Sequence, residues 1–135
     1  MIKTANLGKE IAIKVVNKIG VLADMSGLLG NSKVNIEAVA GYAVGNEAKI
    51  ILVTDDNPQA IDILKKSGYN SIQEDEVVIV ELENKVGALK NITAKLAAQS
   101  LDIKHVYGTV SSIGSPAKII LSTSDNVKAL TALKS

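Results

Sequence analysis

Among its 135 residues the chain has no cysteine, no phenylalanine and no tryptophan, and all fifteen of its basic residues are lysine. The missing cysteine removes disulfides, thiolate metal sites and thiol nucleophiles together. Without arginine there is no planar guanidinium fork of the kind that phosphate and nucleic-acid sites favour. Only Tyr42, Tyr69 and Tyr107 are aromatic, and the formal net charge is +1. A nucleic-acid module would need a basic face with stacking aromatics, so none is expected. No apolar run approaches the roughly 18 residues that span a bilayer, and Met1 to Asn6 carries no apolar leader core. The expectation is a soluble cytoplasmic protein with no membrane partner. Its interior must be aliphatic, because 47% of the residues are hydrophobic and almost none of them aromatic.

What is present is a duplication. Asn17-Lys18-Ile19-Gly20-Val21-Leu22 returns as Asn84-Lys85-Val86-Gly87-Ala88-Leu89, an offset of 67, which also pairs Leu29/Leu96, Ile36/Ile103, Val39/Val106 and Gly41/Gly108. Ala48-Lys49-Ile50-Ile51-Leu52 returns unchanged as Ala117-Lys118-Ile119-Ile120-Leu121, at an offset of 69. A period this long makes each copy a small domain rather than a solenoid turn. The expected units are residues 1–75 and 76–135. Each lies near the lower size limit for independent stability, so the two are expected to share an interface.

The hydrophobic periods give each unit its elements. Ile11, Ile13 and Val15 alternate along Glu10 to Val16, as Val78, Val80 and Leu82 do along Val77 to Glu83, and both read as strands. Leu22, Met25 and Leu29, and in the second copy Leu89, Ile92 and Leu96, mark one apolar helix face each. Strands are predicted over Val34 to Val44 and Glu47 to Thr54, joined by the hairpin signal Gly45-Asn46, which Gly114-Ser115-Pro116 replaces in the second copy. Asp56-Asn57-Pro58 caps a second helix carrying Ala60, Ile61 and Leu64, and Asp125-Asn126 repeats it with Ala129, Leu130 and Leu133. A last strand over Asn70 to Asp75 completes βαββαβ, the ferredoxin-like arrangement, in an α+β chain with antiparallel sheets. The second copy stops after its second helix and so lacks its last strand. The N-terminal Ile2 to Leu7 segment, another chain, or residues beyond Ser135 are the three candidates to fill that edge.

The site with most chemical potential is the first turn of each copy. Gly20 and Gly87 fall where a strand gives way to a helix, where a ligand can approach the backbone and unpaired N–H groups suit a carboxylate. The structural reading of both glycines is a tight turn. Asn17 and Asn84 read equally as turn residues. Lys18 and Lys85 read first as solvated loop charges, and Asn35 and Asp102 as turn residues or as contacts for an ammonium. His105 replaces Ala38, and nothing supplies it with a nucleophile. Glu74, Asp75, Glu76, Glu81 and Glu83 split between strand faces and make an acidic edge rather than a cation site.

Asn-Lys-x-Gly-x-Leu between strand and helix, followed by Val34-Asn35-Ile36 or Leu101-Asp102-Ile103 at the next strand, resembles the ACT domain, over essentially the whole chain and twice. The resemblance implies a tandem pair of small-molecule sensors of the kind attached to enzymes of amino-acid metabolism, which pair side by side and bind amino acids at the pair interface. Carried onto this sequence, the implied site comprises Asn17, Lys18, Ile19, Gly20, Val21, Leu22, Asn35 and Ile36, and then Asn84, Lys85, Val86, Gly87, Ala88, Leu89, Asp102 and Ile103. The function it implies is non-catalytic regulation by an amino-acid effector, in a homo-oligomer such as a dimer. The regulated metabolic enzyme would be a separate chain, and no cofactor or metal is needed. The alternative expectation is an interaction or oligomerisation module whose turns are purely structural. An acylphosphatase-like enzyme lacks the arginine it would need, and an RNA-recognition fold lacks the stacking aromatics on its central strands.

Overall fold

The computed structural model describes residues 2–109, 112 and 114–135. Its elements run β1 (Ile2–Val16), α1 (Val21–Asn31), β2 (Ile36–Val44), β3 (Glu47–Thr54), α2 (Asn57–Lys66), β4 (Ile72–Leu82), α3 (Ala88–Ala98), β5 (Ile103–Thr109), β6 (Ala117–Thr123) and α4 (Asn126–Lys134). The hairpin at Gly45-Asn46 and both aspartate caps fall where the sequence puts them. Residues 110, 111 and 113, which precede the expected turn at Gly114-Ser115-Pro116 in the sequence, lie outside the described residues.

Two strands differ from expectation. β1 is 15 residues long rather than seven, because Ile2 to Lys9 continues the strand that the alternation of Ile11, Ile13 and Val15 marks. The two short strands expected over Asn70 to Asp75 and Val77 to Glu83 are a single strand, β4. The expected strands part at Glu76, but an exposed polar residue extends as readily as an apolar one when its backbone is paired.

The chain divides into one compact unit of Lys9–Asp75 and another of Met1–Gly8 with Glu76–Ser135. The second unit is not short of a strand within the chain. The first half of β1 serves it, and Ala5 is packed into its core. In the Lys9–Asp75 unit the strands lie in the order β2, β3, β1, β4; in the other unit the order is β1, β4, β6, β5. Antiparallel register pairs Ile11 with Leu52 and Val16 with Glu47 in the first, and Val78 with Leu121 and Leu82 with Ala117 in the second.

Each unit has its own aliphatic core. Ile11, Ile13, Met25, Leu29, Leu52, Ala60 and Leu64 fill one, and Val78, Val80, Ile92, Leu96, Leu121, Ala129 and Leu133 fill the other. The correspondence along the two helices and the central strands is position for position, which is why identical residues recur there.

A polar clamp also recurs. The Asn57 side chain sits beneath the surface, 8% exposed. Its Oδ1 accepts from the Thr54 N–H at 3.1 Å and from the Thr54 hydroxyl at 2.6 Å. Its Nδ2 donates to the Lys9 carbonyl at 3.1 Å. Asn126 repeats every bond, to Thr123 at 2.9 Å twice and to the Glu76 carbonyl at 2.8 Å. Lys9 and Glu76 are the residues at which β1 and β4 enter these units. Replacing Asn57 with alanine leaves the Thr54 N–H and the Lys9 carbonyl without their partner, a loss of about 2 to 4 kcal/mol. Removing the neighbouring exposed cap with Asp56→Ala is expected to cost about 1 kcal/mol. Urea denaturation of the two variants checks the order: equal losses would show that the clamp adds nothing to the cap.

Candidate functional site

The end of β1 delivers the chain to Gly20, and the end of β4 delivers it to Gly87. Both glycines are helix N-caps with left-handed backbones, at φ 94° and 82°. L residues occupy that region reluctantly, so the turn itself explains a glycine at each place. The protein does not crowd either residue: a Cβ there would meet nothing within 4 Å. Space for a ligand is therefore present at both, open to solvent.

The two helices that start here differ from the other two. α2 and α4 are capped in the ordinary way, Asp56 accepting from the Gln59 N–H at 3.1 Å and Asp125 from the Lys128 N–H at 3.0 Å. α1 and α3 have no side-chain cap at all. The first intrahelical bond of α1 is Asp24 N–H to the Gly20 carbonyl at 2.9 Å, which leaves the amides of Val21, Leu22 and Ala23 as the helix's unpaired donors. In α3 the Ala88 N–H donates back to the Lys85 carbonyl at 3.1 Å, so one donor fewer is on offer. The tips are also apolar. Ile19 and Val86 are 104% and 103% exposed, with Leu22 and Leu89 about half exposed beside them. A patch of exposed aliphatic side chain next to outward N–H groups suits a ligand or surface that is part apolar and part anionic.

The asparagines of the motif hold the turn together. Asn17 Nδ2 donates to the Gly45 carbonyl at 3.4 Å and its backbone N–H to the Asn46 carbonyl at 2.7 Å, while Asn84 Nδ2 donates to the Ser112 carbonyl at 3.2 Å. Each ties the end of a central strand to the tip of the neighbouring hairpin. Lys85 reaches Glu83 at 3.3 Å, and that ammonium lowers the Glu83 pKa from its usual carboxylate value. Lys18 is exposed.

Asn35 with Ile36, and Asp102 with Ile103, do not meet these turns within their own units. Ile36 pairs with Thr54 while Val44 and Val16 both pair with Glu47. The start of β2 therefore lies at the far end of the strands from Gly20, roughly 25 Å away at the usual strand rise. The helix between them runs back along the sheet, and this is why neighbours in the sequence pattern end up at opposite edges. Asn35 N–H instead donates to Asp55 at 2.9 Å, and Asp102 N–H to the Ser124 hydroxyl at 3.1 Å. The hairpin tip, which the motif does not contain, meets it at Gly45 and Asn46, whose carbonyls accept from Asn17. The Gly45-Asn46 signal located that hairpin but not its proximity to the turn. His105 stacks on Tyr107 with ring centroids 6.2 Å apart. Among the described residues no group of three metal-ligating side chains comes together, and no helix is long and apolar enough to cross a membrane.

One electrostatic feature borders the first turn. The Tyr69 hydroxyl donates to Asp24, in the first turn of α1. That bond, with burial and the carboxylate's charge, pushes the Tyr69 pKa up to about 12.

No family model matches the chain, and no curated protein matches it in sequence. Solved structures do match in fold. The protein BT0572 from Bacteroides thetaiotaomicron superposes with a TM-score of 0.88 at 22% identity, covering 96% of this chain and 88% of that one. The regulatory subunit of aspartate kinase from Thermus thermophilus gives 0.69 at 11% identity over 98% and 96% of the two chains. A putative C-terminal regulatory domain of aspartate kinase from Porphyromonas gingivalis W83 gives 0.57 at 16% identity over 97% and 95%. These likenesses, with the six antiparallel strands and four helices among the described residues, support an ACT-like, ferredoxin-like α+β fold for this chain.

Because both turn glycines face open space, Gly20→Ala and Gly87→Ala should fold and lose only the left-handed backbone preference, about 1 to 2 kcal/mol each by urea denaturation. A loss beyond about 4 kcal/mol would mean the turns are packed rather than open. Stability should also depend on Tyr69 at high pH. The folded-state pKa is raised, so its contribution is complete below the unfolded value near 10 and lost as pH rises through about 12. Denaturation between pH 9 and 12 should therefore fall more steeply for the native chain than for Tyr69→Phe, and parallel curves would contradict the assignment.

Proposed function

We propose that the chain is a non-catalytic regulatory protein that binds a small amino acid at its strand-to-helix turns and passes the binding event to a separate partner. The observation that carries this reading is the pair of uncapped helix starts. The same sequence that caps α2 and α4 with aspartate leaves α1 and α3 with bare amides at open, glycine-made turns, twice. A ligand carboxylate is the complement of such amides. Hydrogen bonds to a charged group contribute roughly 1.5 to 3 kcal/mol each, so two or three account for a micromolar to millimolar site. The exposed Ile19 and Leu22, or Val86 and Leu89, offer apolar surface to the rest of the ligand.

The likeness to regulatory parts of aspartate kinase supports a regulatory role and a metabolic enzyme as the partner. The two units are a tandem pair of ACT-like βαββαβ repeats in this reading, with β1 and β4 supplying closing strands. Asn35 and Asp102, far from the turns of their own units, join a ligand through a second copy of the chain laid antiparallel along the β2 or β5 edge. That makes the working form a homodimer in the cytoplasm, and no cofactor or metal takes part. Regulation of this kind requires a coupling of only about 1 to 3 kcal/mol between ligand and partner surface. The two turns are expected to work unequally, since Asp102 replaces Asn35 and Ala88 spends one amide internally.

A second reading has its own observation. Fully exposed Ile19 and Val86 are what a protein-binding or oligomerisation module without any small ligand would present. Melting temperatures measured with each standard amino acid at millimolar concentration separate the two. The regulatory reading predicts a rise of several degrees with one or a few of them, lost in Gly20→Val or Gly87→Val. No shift with any amino acid, together with partner binding untouched in those variants, would favour the interaction module.

A further inference from the structure

The two units differ on the sheet face opposite their helices. In the Lys9–Asp75 unit Ile11, Ile13, Ile50 and Leu52 turn into the core, so Lys14 and Lys49, which alternate with them, stand on the other face. Register sets Lys14 directly opposite Lys49 and Lys49 opposite Tyr42, one row across three strands. Like charges directly opposite on neighbouring strands destabilise a sheet. Among the described residues neither ammonium is paired with a carboxylate. The corresponding row of the other unit is Glu81, Lys118 and Thr109, which sets opposite charges side by side. The next row also differs, Ala12, Ile51 and Ala40 in one unit against Ile79, Ile120 and Tyr107 in the other. Alanine where the other unit has isoleucine leaves room beside Lys14. An open hollow of about 220 Å³ lies there, its lining including Ala12, Asn70, Ser71 and Asp75. A second, of about 540 Å³, lies toward β2 against Tyr42, Val44, Asn46 and Glu47. Lys14 and Lys49 line both, so the repelling pair stands where the two hollows meet. Of the two carboxylates in the linings, Asp75 already accepts from Gln73 Nε2 at 2.8 Å, and Glu47 lies one row further out, opposite Val16 and Val44.

We propose that this face of the Lys9–Asp75 unit binds a small dianion carrying an aromatic group. The doubly charged head lies between the Lys14 and Lys49 ammonium groups, each with three N–H bonds to give, and Asn70 and Ser71 offer neutral hydrogen bonds beside it. Two charges on the ligand answer two on the protein. The aromatic group lies on Tyr42 and Val44, which are 57% and 73% exposed and so have surface to cover. A phosphomonoester and an aromatic dicarboxylate share this chemistry. In the other unit the same three positions neutralise themselves, Glu81 with Lys118, and Thr109 offers no ring. The site borders the hairpin tip that Asn17 holds, but it uses none of the amides after Gly20 and does not rest on their reading.

Calorimetric titration of the chain with phenyl phosphate and with phthalate tests it, at about pH 8 where both are dianions and with amide chemical shifts recorded at each step. The expected result is a millimolar or tighter site for at least one of them, and the tighter of the two identifies the source of the anion. Benzoate, with one charge, should bind at least about tenfold weaker, in keeping with loss of a charge-assisted bond. Shifts should centre on Lys14, Tyr42, Lys49 and Ser71. Lys14→Glu recreates the Glu81–Lys118 pair of the other unit; it should abolish binding and raise the melting temperature of the unliganded chain. Tyr42→Thr should weaken phenyl phosphate and leave inorganic phosphate unchanged. Lys128→Glu, an equal change of charge on α4, should leave binding as it was. No binding of either dianion by the native chain at about 10 mM overturns the proposal. So does unchanged binding by Lys14→Glu, an equal loss in Lys128→Glu, or a shift pattern confined to Val21, Leu22 and Ala23.

Discussion

The amide of one asparagine per unit, Asn57 or Asn126, is the bond on which the arrangement of each unit depends. It joins three things that must agree: the end of the third strand through threonine, the start of the second helix, and the backbone of a long strand at Lys9 or Glu76. That last carbonyl marks where β1 and β4 pass from one compact unit into the other. A strand of 15 residues has no natural stopping point of its own, since paired backbone continues for as long as partners are available. The clamp fixes which residues of it belong to which core, and a slip by one residue would turn Ile11 and Ile13 outward. With the strand fixed, the turn at its end is fixed too, and Gly20 or Gly87 arrives at the hairpin tip where Asn17 or Asn84 secures it.

The same helices show what the protein treats as structural and what it leaves open. α2 and α4 satisfy their first amides with their own aspartates, whereas α1 and α3 begin at bare left-handed glycines flanked by exposed aliphatic side chains. In the proposed reading, a chain that caps one helix of each copy and leaves the other uncapped keeps those donors for a ligand. The proposed amino-acid site follows from that contrast more than from the motif itself.

Much of this was legible in the residues. Periodicity located the apolar face of each helix, since Met25 and Leu29, Ile92 and Leu96, Ala60 and Leu64, and Ala129 and Leu133 all lie on helices and in the cores. Gly45-Asn46 and the two aspartate caps are local signals and were placed correctly by local chemistry. Two features were not legible. Glu76 looks like a boundary between two strands but lies inside one, since pairing is a property of the backbone and carries little signature in exposed side chains. The resemblance groups Asn35 and Ile36 with Gly20, and no local signal reveals that within one unit the intervening helix returns the chain to the opposite end of the strands.

The central claim is that the unpaired amides after Gly20 and Gly87 hold a ligand's carboxylate. Residue-resolved hydrogen exchange tests it most directly, comparing Val21, Leu22, Ala23 and Leu89 with and without the amino acid that raises the melting temperature most. The account predicts that these amides exchange rapidly in the unliganded chain and slow at least about tenfold at saturation, in one turn more than the other. Unchanged exchange at all four, in a chain whose melting temperature the same amino acid has raised, would place the ligand elsewhere and contradict it.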